Sequence, residues 1–311
     1  MPFDGQIFED AQQAGGFIVP QLYRTHAGVL LVKYPSFDYA GFVPVNTEGD
    51  MWDIGTLVYS GDIAGTAAYL SGKGYDVPNA SVNFGLGTSQ FFLAGAGYEL
   101  SLQEVNRASK MNLSLGDKKA SAAKLIAEKF VYDRVIRGST EKNTTGLINN
   151  ATVPAANAPT GLWATATPAQ MLADVNAVLN DVITNSGETA MPDTLILPTT
   201  AFLTVNSTQL TNAGQSVLSF IQENNSFSAM NGGKPLTIKA SRELQTAGAG
   251  STRRMVAYQN DPQNLEFFLP GMFEFLPPFA MSSMSWRVDG TMNVGQLEIY
   301  RPKAVSYRDN I

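Results

Sequence analysis

A mixed α+β fold with extended appendages is predicted by three observations. Residues 101–137 and 167–187 carry helix signals at both ends, and short strand-like runs lie between and after them. The first hundred residues hold only brief apolar pieces broken by Gly and Pro. Such pieces are marginal alone and need a surface to lie on.

Composition narrows the function before any motif does. Of 311 residues, 44% are hydrophobic and only 15% charged, with 28 Gly and 16 Pro, so much of the surface is uncharged and part of it is expected to meet protein. The absence of cysteine excludes disulfides, thiolate metal sites and thiol nucleophiles, and the single histidine, His26, excludes a multi-histidine metal site within one chain. No cofactor is expected. A net charge of -6, with basic residues scattered singly, argues against a nucleic-acid-binding surface, because such surfaces draw affinity from clustered Lys and Arg. No apolar run approaches the roughly 20 residues needed to span a bilayer. The start "MPFDGQIFEDAQQAGG" lacks the basic segment and apolar core of a signal peptide, so neither a membrane partner nor export by that route is expected.

Residues 1–50 ("GGFIVPQLY", "GVLLVKYP", "YAGFVPV") read as an arm. Residues 51–99 contribute strand-like "IGTLVYS", "ASVNFGL" and "SQFFLAGAGYEL" around the Gly-rich "LSGKGYDVPNA", the pattern of a long hairpin-like loop with Leu70, Gly72, Lys73, Gly74 and Tyr75 at its middle. Ser101 and Glu104 have capping-box spacing and open a helical stretch that Arg134, Arg137 and Gly138 bring to a stop. If continuous, this stretch is a rod of roughly 55 Å, with Gly116 as a place for a kink. "PAANAPTGLWATA" reads as a linker. Thr167, Pro168 and Gln170 then cap a second helix whose stripe Met171, Leu172, Val175, Val178, Leu179, Val182 and Ile183 predicts one buried face. Asp174 and Asp181 are expected on a solvated face. "MPDTLILPT", "KPLTIKASREL" and "RRMVAYQ" read as strands and "SVLSFIQEN" as a short helix, making an α/β lobe to about residue 280. The tail from Met284 alternates as strands, with a turn expected near Asp289 and Gly290 and a return to the sheet beneath the long helix.

Catalytic motifs are absent. "FGLGTSQF" and "AGAGYEL" contain Gly-x-Gly without the strand, turn and helix order of a dinucleotide site, and there is no Walker sequence or Gly-x-Ser-x-Gly elbow. His26 lies in the irregular arm, where a catalytic group would be poorly held. The run "NLEFFLPGMFEFLPPF" carries more apolar groups than a soluble monomer exposes. Strand alternation buries about half, and Phe267, Phe268, Phe273 and Phe275 are candidates for a subunit contact.

The order and spacing of several motifs resemble the major capsid protein of tailed phages, the Hong Kong 97-type fold shared with encapsulin shells, over essentially the whole chain. "DIGTLVYSGDIAGTAAYLSGKGYDVP" is similar to the start of that family's extended loop, and "YELSLQEVNRA" to the opening of its spine helix. "TGLINN" matches the turn after the helix, "PDTLILP" a core strand, and "EIYRPKAVSYRDNI" the usual ending. The resemblance implies an N-terminal arm (residues 1–50), an extended loop (51–99), a peripheral domain with its spine helix (100–165), an axial domain (166–280) and C-terminal strands returning to the peripheral domain (281–311). It implies that Gly146, Leu147, Ile148 and Asn149 pin the end of the helix, with Leu147 and Ile148 buried and Asn149 bonding backbone.

Function follows as an expectation: no enzyme, but a virion protein made in the bacterial host cytoplasm. It would self-assemble as pentamers and hexamers into an icosahedral shell that encloses double-stranded DNA without specific binding. A separate scaffolding protein, a portal and a decoration protein are the further partners implied. Some relatives cross-link their shells by Lys-to-Asn isopeptide bonds, for which Lys73 is the donor to ask about, against its reading as an ordinary loop lysine. An encapsulin-like compartment would share the fold and differ in cargo, a tail-tube protein would lack the long helix, and an enzyme using His26 would need a formed pocket.

Overall fold

Short strands that are apolar on both faces need a packing layer on each side, and one five-stranded sheet sets the architecture in that way. The computed structural model describes residues 37–67, 69, 79–110, 114–210 and 214–311. In chain order the first half holds β1 (Val45–Asn46), β2 (Gly55–Ala64), β3 (Ser81–Gln90), β4 (Phe92–Ser101), α1 (Leu102–Lys110), α2 (Leu115–Arg137), β5 (Gly138–Ser139), β6 (Thr144–Thr145) and β7 (Ala155–Asn157). It continues with α3 (Pro168–Asn185), β8 (Thr194–Pro198), α4 (Thr199–Ser207), α5 (Val217–Glu223), α6 (Ser226–Met230), β9 (Thr237–Ser241) and β10 (Arg254–Tyr258). The last strands are β11 (Leu265–Phe268), β12 (Gly271–Phe275), β13 (Phe279–Ser282), β14 (Ser285–Val294), β15 (Leu297–Ile299) and β16 (Val305–Asp309).

The central sheet has the order β7-β16-β10-β8-β9. Alternate side chains leave it on opposite faces. Ile196, Val256, Tyr258, Val305 and Tyr307 enter one core with α2, β11 and β14, whereas Leu195, Leu197, Met255 and Ala257 enter a second with α3 and the shorter helices. The α3 stripe from Met171 to Ile183 is buried except for half-buried Leu172, and Thr167 and Gln170 form the expected capping box with Pro168 in the first turn. A second sheet places β14 between β4 and the edge strands β12 and β13, and β1-β11-β15 form a third. None of the described helices is long and apolar enough to cross a membrane.

Several sequence expectations change in three dimensions. The helical stretch is described in two pieces: α1 ends at Lys110, and α2 starts after Ser114, whose backbone is not helical (φ -77°, ψ 83°). Gly116 lies inside α2 and is not the break; the non-helical residue described is Ser114. The 23 residues of α2 make a rod of about 35 Å rather than 55. The two-stranded ribbon ends at Gln90, because β4 leaves it and pairs with β14 over ten residues. The proposed linker belongs to the lobe, since β7 extends its sheet and Trp163 is fully buried in its core.

The lobe also stops earlier than residue 280, because β11 to β13 join the other two sheets. The tail divides: β14 joins β4 in the sheet that packs against α2, as expected, whereas β16 pairs with β10 and β7 in the central sheet. No turn occurs at Asp289 and Gly290, which lie mid-strand in β14. Gly290 serves close packing there, since a Cβ would come within 2.3 Å of the Phe273 ring and 2.8 Å of the Ala96 carbonyl. Asp174 is not solvated. It is fully buried and accepts hydrogen bonds from Trp163 Nε1 (2.9 Å), Thr160 Oγ1 (2.8 Å) and the Thr160 amide (3.2 Å). Asp181 is partly exposed and pairs with Arg308 at 2.6 Å.

Candidate assembly surface

The last four carbonyls of a helix have no partner within it, and at the end of α2 the chain supplies one for each. Gly138 N–H donates to the Arg134 carbonyl, Leu147 N–H to that of Val135 (3.0 Å), Ile148 N–H to that of Ile136 (3.2 Å) and Asn149 Nδ2 to that of Arg137 (2.8 Å). Asn149 Oδ1 accepts from the Gly146 amide at 2.7 Å, which closes the turn. Gly146 is required by proximity: a Cβ there would sit 2.3 Å from the Ile136 oxygen. Leu147 and Ile148 are buried in the core beneath the helix. This short turn is therefore the cap of the long helix.

The turn is held from behind by the C-terminal strand. Tyr307 Oη donates to the Leu147 carbonyl at 2.6 Å, and Arg254 donates to the Ile148 carbonyl at 2.6 Å while binding Asp309 through two nitrogens, at 2.6 and 2.9 Å. Burial pushes the Tyr307 hydroxyl well above its ordinary pKa, so it remains a donor. At the other end of the helical stretch, the Ser101 amide donates to Glu104 Oε2 (3.3 Å) and the Glu104 amide to Ser101 Oγ (3.2 Å). Lys119 joins α2 to this cap through Glu104 at 2.9 Å, and with the Ser101 contacts it holds the Glu104 carboxyl below the usual range.

The ribbon of β2 and β3 has two unlike faces. Ten antiparallel pairs place Leu57, Tyr59, Ile63, Val82, Phe84 and Leu86 on one side, and Thr56, Ser60, Asp62, Ser81, Asn83 and Ser89 on the other. The six apolar residues range from 51% exposed at Val82 to 80% at Ile63. The signal was present in the sequence as alternation in "LVYSGDI" and "VNFGL", interrupted by Val58 on the otherwise polar face. Only the strand register shows that both runs share one face. Leu70, Gly72, Lys73, Gly74 and Tyr75, the residues chosen from this loop by sequence, lie outside the described residues, as does His26.

The aromatic run divides differently from expectation. Phe267 and Phe268 are buried within their own subunit: β11 lies between β1 and β15, Phe267 is fully buried, and Phe268 packs on Phe91 with ring centroids 5.8 Å apart. Phe273 is half-buried, and Phe275, more exposed, meets it and Tyr98 edge-on at 5.0 and 5.7 Å. A shallow groove of about 530 Å³ beside the end of α2 is lined by Arg134, Arg137 and Glu243, but Glu243 is already paired with Arg137 and Arg242. Among the described residues, no cluster of acidic or histidine side chains could hold a metal.

This arrangement of a long helix capped onto a sheet, a separate α/β lobe and an exposed ribbon is the fold of phage capsid proteins. The capsid of Myoviridae phage XM1 matches with a TM-score of 0.79 at 15% identity, covering 94% of this chain and 98% of that one. The capsid of the native GTA particle matches with a TM-score of 0.66 at 8% identity over 97% and 99% of the two chains. A structure of Mycobacterium phage Bobi matches at 0.62 and 13% identity over 95% and 97%. No curated protein matches the sequence. The sequence pattern of the major capsid protein family matches residues 65–311, and the chain belongs to that family. It is a structural protein of the virion capsid and not an enzyme.

Proposed function

We propose that copies of this chain assemble as pentamers and hexamers into the icosahedral head of a tailed phage, around double-stranded DNA. The observation that carries the reading is the ribbon, whose apolar face no described residue of its own subunit covers. In a closed shell one such surface is used many times, so each ribbon becomes ordered on a neighbour. The reading takes residues before about 50 as the arm, the ribbon as the extended loop, α1, α2 and the β4–β14 sheet as the peripheral domain, and the five-stranded lobe as the axial domain. A net charge of -6 suits a lining that encloses DNA without gripping its phosphates. A separate scaffolding protein, a portal and a decoration protein complete the set of partners.

Negative-stain electron microscopy with light scattering on the purified protein tests this. Closed shells, or rings of five and six that close when a scaffold is added, are expected. A uniform monomer or dimer, unmoved by salt, crowding or scaffold, would refute the reading.

A further inference from the structure

We infer that the cavity between the end of α2 and the start of β4 binds an acidic peptide segment of a partner protein, one that sets a carboxylate beside an aromatic or branched apolar side chain. The inference stands apart from the shell reading, since it uses only the lining of this cavity.

The cavity holds about 410 Å³, within the range of about 300–1,000 Å³ usual for ligand sites. One part of its lining is apolar, from Phe92, Leu93, Ala94 and Phe130. Both phenylalanines are only half-buried. The other part is a set of donors: Arg134 from the last turn of α2, Ser139 from β5, Thr144 from β6, and Lys142 from the turn that joins those two strands. The Asn143 amide closes that turn on the Thr140 carbonyl at 3.3 Å, with Asn143 left-handed at φ 52°. Lys142 is thereby brought over the Phe92 ring, 5.5 Å from its centroid, while Arg134 lies over Phe130 at 4.6 Å.

These donors are short of acceptors. Among the described residues Arg134 has no ion pair, and its buried Nε has no hydrogen-bond partner. Native proteins seldom leave such a donor unmatched, so a group that meets it from outside the chain is to be expected. The hydroxyls of Ser139 and Thr144 each accept from a backbone amide, at 3.3 and 3.0 Å, and keep their own protons to donate. The carboxylate in the lining is Glu141, whose side chain is 82% exposed and which pairs with its neighbour Lys142 at 3.2 Å. A surface pair of that kind holds its partners weakly. A carboxylate entering the cavity would instead meet several fixed donors, two of them cationic.

The apolar part of the lining decides what carries the carboxylate. A bare oxyanion would leave the Phe92 and Phe130 rings unmatched, and so would a nucleic-acid backbone. A peptide with an aromatic or branched side chain next to its acid fills both halves. The exposed residues Thr140, Glu141 and Lys142 stand at the rim, so such a segment can enter from solvent.

The probe is N-acetyl-aspartyl-phenylalanine amide, titrated against the purified protein by calorimetry. Saturable binding at millimolar concentrations or below is expected. The asparaginyl analogue, equal in shape but uncharged, and the aspartyl-glycine analogue, which lacks the ring, should each bind about tenfold more weakly or worse. Lys142→Gln and Arg134→Met should weaken the probe to a similar degree, whereas Lys124→Gln, on the exposed part of α2 outside the lining, should leave it unchanged. Lys142 lies in an exposed turn, so its variant decides the matter should Arg134→Met fail to fold.

No binding of the probe, equal binding of the asparaginyl analogue, or binding unmoved by Lys142→Gln would overturn the site. Inorganic phosphate or a duplex oligonucleotide bound more tightly than the probe, and lost with the same variants, would overturn the peptide as its ligand. None of these results bears on whether particles form, so the shell reading stands or falls separately.

Discussion

Replacing Asp309 by Ala removes one half of the buried pair that fastens the C-terminal strand to β10. Arg254 and Asp309 are 10% and 5% exposed, and the guanidinium also donates to the Ile148 carbonyl and stacks on the Tyr307 ring at 4.5 Å. The variant leaves a buried cation without its counter-charge, which costs about 3–5 kcal/mol. It also removes the acceptor of the Ala249 amide, 3.0 Å away, which is exposed enough for water to take that place at little further cost. Against a total stability of about 5–15 kcal/mol, the loss should lower the urea midpoint of unassembled subunits, followed by tryptophan fluorescence, by about 1 M or more. The double variant Arg254→Met with Asp309→Leu removes both charges and should lie closer to the unmodified protein than Asp309→Ala does.

The pair also sets a pH dependence. Burial alone pushes the Asp309 carboxyl up, but the Arg254 hydrogen bonds, the Ala249 amide and the Arg254 charge outweigh it and hold the group below its ordinary value. A carboxyl lowered in this way contributes fully above its unfolded value, near 4, and loses that contribution as pH falls through the lower folded value. The unmodified protein should therefore lose stability below about pH 4, and Asp309→Ala should lose less over that interval. A single variant within about 1 kcal/mol of the unmodified protein, or a double variant less stable than the single, would refute this account.

Other perturbations test separate joints of the structure. Leu147→Asp puts a charge into a fully buried site under the helix end and should abolish soluble folded subunits or particles; normal shells from it would contradict the capping role. Trp163→Phe removes the indole donor to buried Asp174 while keeping most of the packing, and should cost about 1–3 kcal/mol by urea titration. Gly290→Ala forces a methyl against Phe273 and the Ala96 carbonyl and should cost about 1–3 kcal/mol, whereas a residue in an open turn would tolerate it.

Local periodicity carried the parts of the fold that depend on neighbours in sequence. The cap at Thr167 and Gln170, the buried stripe of α3 and the apolar strand β8 are legible because caps, helical faces and strand runs are written within a few residues of one another. Composition likewise removed most catalytic chemistries, since no fold can supply a thiolate or a second imidazole that the chain lacks. Pairing across the chain decided the rest. Asp174 is buried only because Thr160 and Trp163 bring donors to it. Gly290 is a packing glycine because Phe273 lies over it, and the last strand crosses to the central sheet because Tyr307 and Arg254 meet the turn after α2 there. The ribbon shows the division most plainly. Alternation in each strand sorts its own side chains into two sets, but whether the apolar sets of β2 and β3 fall on the same face depends on register. A slip of one residue would have put them on opposite faces, and register is a property of two segments brought together.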